Sequence, residues 1–269
     1  MPTWGQALKW GIKELATPSA KTDCLRLMTD NTPYNLLDVY KLSEHEFTDF
    51  NTFRSNIARR KLGEPVAYIT GRQDFWQNSF FVNNNVLIPR HDSEIILETI
   101  CQKQIHGQKI LELGVGSGAL IISYLLSNKS ACGFASDICF RALAVAETNM
   151  RNLACHNLTL RQGSWFEPWL GDKFDIIISN PPYIDEQDRH LESLSFEPRH
   201  ALVAKTNGFH DLWSIIDNAH FFLEPGGWLI LEHGAEQNLL DRFRPEIWHN
   251  IECLHDLGGR PRITLAQAL

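Results

Sequence analysis

Lys109-Ile110-Leu111-Glu112-Leu113-Gly114-Val115-Gly116-Ser117-Gly118-Ala119 decides how this chain is built. Lys109–Leu113 is an apolar run of strand length, and residues 119–126 are apolar enough for a buried helix. A strand that turns through glycines directly into a helix is the opening step of a parallel α/β sheet. The glycines are spaced G-x-G-x-G, whereas a dinucleotide turn needs G-x-G-x-x-G. No G-x-x-x-x-G-K-[ST] occurs, so a phosphate-cradling P-loop is excluded.

Downstream the strand–helix alternation continues. A strand over 131–136 ends in Asp137, followed by a helix over 142–149, a short strand over 158–160 and a loop through Ser164, Trp165 and Pro168. Phe174–Ser179 is a β-branched run that delivers Asn180-Pro181-Pro182-Tyr183. Two consecutive prolines cannot donate to a ladder, so this strand must stop at Asn180. A helix over 212–222, a strand over 228–232, a helix over 237–243 and closing strands over 251–255 and 262–265 complete the pattern. The expected fold is α/β: a mostly parallel sheet covered on both faces, with an antiparallel edge strand.

In such sheets ligands bind at the carboxyl ends of the strands. The glycine turn 114–118 lets backbone approach a ligand closely. An acid at the second strand tip, Asp137, can accept both hydroxyls of a ribose, and Glu112 can meet an ammonium group. Together they describe a nucleoside carrying an amino-acid tail, and S-adenosylmethionine fits that description. At Asn180, a carboxamide oxygen beside the Pro181 carbonyl offers two acceptors converging on one point, which suits a planar –NH₂ group. The Tyr183 ring can stack on the plane that carries that nitrogen.

Upstream, residues 1–70 read as helices. Thr3 can cap a first helix that buries Ala7, Leu8, Ile12 and Leu15. Ser43-x-x-Glu46 reads as a capping box for a helix burying Phe47, Phe50 and Ile57. With no polar cluster, this segment reads as a substrate-recognition domain. Residues 71–89 read as a linking β-hairpin: a strand over 75–82, a turn at Asn83-Asn84-Asn85 and a return over 86–89. Residues 90–269 form the third region, whose first helix has Asp92 or Ser93 available as its cap.

The 269 residues are 43% hydrophobic, enough for a full core, and the formal net charge is −7 without charge blocks. A basic stripe for nucleic acid is missing, so direct nucleic-acid binding is not expected. The six cysteines form no C-x-x-C pair, and no H-x-x-x-H occurs among the eleven histidines, so no metal site is expected. No apolar run reaches spanning length and the N-terminus lacks a signal peptide's apolar core, which points to a cytoplasmic protein away from membranes.

Several stretches recur in the order of one known family: Gly63-Glu64-Pro65-Val66-Ala67-Tyr68-Ile69-Thr70-Gly71, Val86-Leu87-Ile88-Pro89-Arg90, the glycine turn, Asp137, Ser179 to Ile184, Glu197 to Leu202, and Asp256 to Arg260. The chain resembles the peptide chain release factor N5-glutamine methyltransferases (the PrmC/HemK family) from about Gly63 onward, more loosely before. The resemblance implies a class I, Rossmann-like S-adenosylmethionine-dependent methyltransferase fold. It places cofactor contacts at Gly114, Val115, Gly116, Ser117, Gly118, Asp137 and Trp165, with Asn180 bordering the cofactor. Asn180, Pro181, Pro182 and Tyr183 would hold the glutamine of the Gly-Gly-Gln motif in class-1 release factors. The family usually has Pro-Glu-Thr-Glu where this chain has His91-Asp92-Ser93-Glu94, Asp where Glu112 stands, and often Asp at Ser164.

A glutamine amide nitrogen is a poor nucleophile and the sulfonium donor is already activated, so alignment and electrostatics carry the reaction. Asn180 and the Pro181 carbonyl are expected to accept the two amide N–H groups, and no dedicated base is required. Two rival readings share the motifs: an amino-methyltransferase acting on adenine in DNA or RNA, and a non-catalytic release-factor-binding protein.

Overall fold

The computed structural model describes every residue, Met1–Leu269. The chain divides into two compact units, Met1–Arg72 and Gln73–Leu269.

The first unit contains α1 (Trp4–Leu15), α2 (Ala20–Thr29), α3 (Asp38–Lys41), α4 (Phe50–Lys61) and α5 (Val66–Thr70). Thr3 and Gln6 cap α1 reciprocally, each side chain satisfying the other's backbone N–H. Apolar residues at helical spacing from α1 (Ala7, Leu8, Leu15), α2 (Cys24, Leu27, Met28) and α4 (Phe53, Ile57) form one core. A Cβ on Gly11 would lie 2.7 Å from Phe53 Cζ, so glycine lets α1 approach α4 closely. The capping box expected at Ser43 and Glu46 does not form. Backbone there is taken instead by the N-terminus, with Phe47 N–H donating to Pro2 and Trp4 N–H to His45, and α4 starts only at Phe50.

At the boundary comes the hairpin β1 (Arg72–Phe75) and β2 (Asn78–Phe81), which lies in the second unit from Gln73 onward. It turns at Trp76, which takes a left-handed φ of 55°, and not at the three asparagines as the sequence suggests. Asn83 instead accepts the Asn85 N–H in a local turn, and the return strand over 86–89 is missing. The Ile88 N–H is spent on the Glu197 carboxylate, not on a ladder.

There follow α6 (Glu94–Gln102), β3 (Lys109–Leu113), α7 (Ala119–Ser127), β4 (Cys132–Asp137), α8 (Phe140–Asn152), β5 (Leu158–Gln162), β6 (Phe174–Ser179), α9 (His210–Ala219), β7 (Leu223–Glu232), β8 (Trp248–His255) and β9 (Pro261–Ala268). The seven strands order as β5-β4-β3-β6-β7-β9-β8. Neighbours from β5 to β7 are parallel, while β9 runs antiparallel to both β7 and β8. The helix expected over 237–243 is reduced to one 3₁₀ turn at Leu240–Arg242, because the Gln237 side chain is spent on the Gly234 N–H and the Tyr183 carbonyl.

Alternation along the strands separates two cores. Ile110, Ile176, Ile178 and Ile230 face one side with α6 and α7; Leu111, Leu113, Ile177, Leu229 and Leu231 face the other with α9. Strand order reverses between β3 and β6, which makes their carboxyl ends the crevice of the sheet.

Candidate active site

Register sets the geometry of the site. Leu113 pairs with Ser136 and with Ser179, and Ser179 pairs with Leu231. The residues one step further, Gly114, Asp137, Asn180 and Glu232, therefore leave four adjacent strand ends at the same level. A cavity of about 310 Å³ opens there, lined by Glu112, Gly114 to Ser117, Asp137, Trp165, Asn180 and Pro182. Gly118, Pro181 and Tyr183 are not on its wall.

Gly114, Gly116 and Gly118 all take positive φ, between 51° and 79°, as the turn from β3 to α7 requires. The Gly114 and Val115 N–H groups both reach the Ser136 carbonyl, which ties the turn to β4. Asp137 accepts from the Gly116 N–H at 3.0 Å and from the Cys139 N–H at 2.9 Å. Burial pushes its carboxyl above the ordinary range, and these two N–H groups oppose the shift. Glu112 is buried, accepts only from the Ile121 N–H at 3.1 Å, and forms no ion pair. Burial raises its carboxyl well above normal, and the charge of Asp137 adds to the effect.

A buried carboxylate, Glu112, and a half-buried one, Asp137, at one cavity, with no cation from the chain paired to either, favour a ligand that brings positive charge and hydroxyl donors. An ammonium-bearing nucleoside sulfonium meets those demands. Trp165 also lines the cavity. Its φ of 44° is left-handed, the Ser136 hydroxyl holds its carbonyl at 2.8 Å, and its ring lies 3.5 Å from where a Gly114 Cβ would stand. The Ser164 N–H bonds to Glu167, which fixes the start of this loop.

Asn180 ends β6 with its Nδ2 donating to Ser93 Oγ at 3.0 Å. Its Oδ1 takes no hydrogen bond from the chain. Tyr183 turns away from the cavity: its ring packs on the second core and its hydroxyl donates to Glu232 at 3.1 Å. Burial and the Glu232 charge push that phenol up.

Sequence reading missed three participants. Ser93 was expected as a helix cap, yet it caps nothing; its hydroxyl donates to Glu232, which draws it out of capping geometry. Glu232 closes the apolar strand Trp-Leu-Ile-Leu just as Asp137 closes β4, a signal that could have singled it out. Gly208 has φ of 83°, and a Cβ there would lie 2.1 Å from the Tyr183 carbonyl, so only glycine permits this approach to the Pro-Pro loop.

Two family models match the chain: the PrmC N-terminal domain over residues 6–71 and the methyltransferase small domain over residues 90–196. The release factor glutamine methyltransferase of Salmonella typhimurium is 43% identical over 213 residues, 77% of either chain. That of Shewanella oneidensis is 35% identical, covering 97% of this chain and 95% of its own. The Escherichia coli protein of the same name is 35% identical over 97% of both chains. Among solved structures, a 16S rRNA N2 G1207 methyltransferase from Thermus thermophilus, in complex with AdoMet and guanosine, superposes with a TM-score of 0.54. Its identity is 14%, over 73% of this chain and 49% of that one. A methyltransferase from Pyrococcus furiosus gives a TM-score of 0.53 at 17% identity, covering 70% of this chain and 87% of its own. At such identities the likeness concerns the fold, that of class I methyltransferases.

Proposed function

The chain belongs to the release factor glutamine methyltransferase family, and from that membership we propose how its cavity transfers a methyl group to the side-chain amide nitrogen of a release-factor glutamine. The observation that carries the reading is Asn180: it leaves the end of β6 with Nδ2 held by Ser93 and Oδ1 without a partner in the chain.

When bound, S-adenosylmethionine supplies a methyl group on positively charged sulfur. Glu112 would meet its ammonium group, Asp137 its ribose hydroxyls, and the backbone of Gly114, Val115, Gly116 and Ser117 with Trp165 would enclose the rest, Gly118 serving the turn behind them. Asn180 Oδ1 and the Pro181 carbonyl accept the two N–H groups of the glutamine amide. That fixes the nitrogen and draws on the positive charge that develops there as the new N–C bond forms. The N–C bond forms as the methyl carbon's bond to sulfur breaks, leaving an N-protonated amide; that group is very acidic and releases its extra proton to water past the same acceptors, so no separate base is needed. Pro181 and Pro182 stiffen the loop, and Tyr183 supports it through Glu232.

The helical unit, residues 1–70, is the part that recognises the protein substrate and residues 90–269 carry the chemistry, while the stretch 73–89 goes with that second unit and lends Val86, Leu87 and Pro89 to the cavity wall. No helix is long and apolar enough to cross a membrane, and we place the enzyme in the cytoplasm, where release factors act. Relatives named for a release factor weigh against adenine in nucleic acid as the acceptor.

The test is to incubate the enzyme with a class-1 release factor and S-adenosylmethionine, then map peptides by mass. The expected product is one added methyl on the glutamine of the Gly-Gly-Gln motif. Asn180→Ala should lower turnover by about 10²–10³ while cofactor affinity falls far less. Label found in nucleic acid, with that glutamine unmodified, would overturn the substrate.

A further inference from the structure

An asparagine amide has two ends of similar shape and opposite chemistry, and only one of them can accept a substrate N–H. Something must decide which end faces the cavity. The neighbours of Asn180 make that decision through a short chain of hydrogen bonds. Glu232 lies one strand away at the same level, fully buried, with Oε2 accepting from the Ser93 hydroxyl and Oε1 from the Tyr183 hydroxyl.

A carboxylate has no proton to give, so it takes the single proton of Ser93 Oγ. The serine oxygen then offers only lone pairs to its other neighbour. That neighbour is Asn180, and of its two amide ends only Nδ2 can satisfy a lone pair; the distance is 3.0 Å. Oδ1 is thereby turned to the opposite side. From this geometry we propose that Ser93 and Glu232 are positioning residues that fix the amide of Asn180 with its oxygen toward the substrate, and so select a side-chain –NH₂ over a carboxylate. This rests on the reading of Asn180 as the residue that accepts the glutamine amide.

Two hydroxyl donors, Ser93 and Tyr183, and the charge of Arg262 on β9 face the Glu232 carboxyl. Burial is the largest influence and holds that carboxyl above its ordinary range, while the two hydroxyls and Arg262 oppose the shift and Asp92 adds to it. If Ser93 lost its hydroxyl, the amide would be free to present Nδ2 to the cavity, where a donor would face the donors of the substrate. A glutamate in the substrate position brings acceptors only, and Asn180 Oδ1 together with the Pro181 carbonyl would repel it.

The test is a double-mutant cycle on the full chain. Ser93→Ala should lower kcat by about 10- to 100-fold, with the S-adenosylmethionine Kd changed by no more than about 2-fold. Ser93→Thr, which restores a hydroxyl, should recover most of the loss. In an Asn180→Ala background, Ser93→Ala should cost almost nothing further, because the group it orients is gone. Glu232→Gln, whose amide can donate as well as accept, should lower kcat in wild type and have little effect after Ser93→Ala. Full kcat in Ser93→Ala, failure of threonine to restore it, or losses that multiply with Asn180→Ala would each overturn the proposal and leave the functional reading intact. Full activity in Asn180→Ala alone would instead sink that reading, and this inference with it.

Discussion

The backbone N–H of Ile88 donates to the carboxylate of Glu197 at 3.0 Å, across 109 residues of sequence. The other oxygen of Glu197 pairs with Arg90. Two motifs far apart in the chain thus form one clasp, and Val86, Leu87, Pro89 and Arg90 are held as a wall of the cavity.

Glu197→Ala strips a buried N–H of its acceptor, which costs about 1–3 kcal/mol. Arg90 is 38% exposed at its side chain and can turn to water, so its own loss is small. Urea unfolding should show that deficit, and Glu197→Gln, which still accepts from Ile88, should lose clearly less. Equal losses would mean that charge, not the backbone bond, holds the clasp.

Asp137 faces the cavity with its carboxylate held by two N–H groups, ready for a pair of hydroxyls. Charge-assisted hydrogen bonds are worth roughly 1.5–3 kcal/mol each. Asp137→Ala should therefore weaken S-adenosylmethionine binding by about 100-fold or more in calorimetry. Unchanged affinity in a folded variant would remove the assignment.

The sheet was legible because its strands are β-branched runs cut off by glycine or proline, as Phe174–Ser179 is by Asn180-Pro181-Pro182. The glycine turn was legible because only positive φ connects β3 to α7 so tightly. What local sequence could not disclose was long-range competition for a polar group. Ser93 precedes a helix, so it reads as a cap, but its partner lies 139 residues away on β7. Ser43 and Glu46 have the spacing of a capping box, yet the N-terminal segment occupies that backbone first. The asparagine triplet reads as the hairpin turn because nothing nearby marks Trp76 as left-handed; a bulky residue there is uncommon.

The helical unit and the sheet unit have separate cores: the first is built from Trp4 to Val66, and the sheet's two from Phe75 onward. A chain shortened to begin at Gly71 should keep S-adenosylmethionine affinity within a few-fold. It should lose methylation of an intact release factor, because recognition of the protein substrate is assigned to the missing helices. Full activity of the shortened chain on the intact factor would reduce those helices to structural support.

Asp256 ties the β8–β9 hairpin. Its Oδ1 accepts from the Gly258 and Arg260 N–H groups at 2.9 and 3.0 Å, and its Oδ2 from Arg260 Nε at 3.0 Å. Arg262, 3.5 Å from the same carboxylate, extends this contact toward Asp92. The backbone N–H of Arg260 is the largest cause that lowers the carboxyl from 3.8 to about 2, with the Arg260 side chain adding to it. The folded state therefore binds this proton less readily than the unfolded chain. The stability it contributes is complete above the unfolded value and is lost as pH falls toward about 2. Asp256→Asn should be less stable than wild type at pH 5 and above, and the gap in urea midpoint should narrow steadily on acidification, nearly closing at about pH 2. A gap that stays constant across that range would mean that shape, not charge, ties the hairpin.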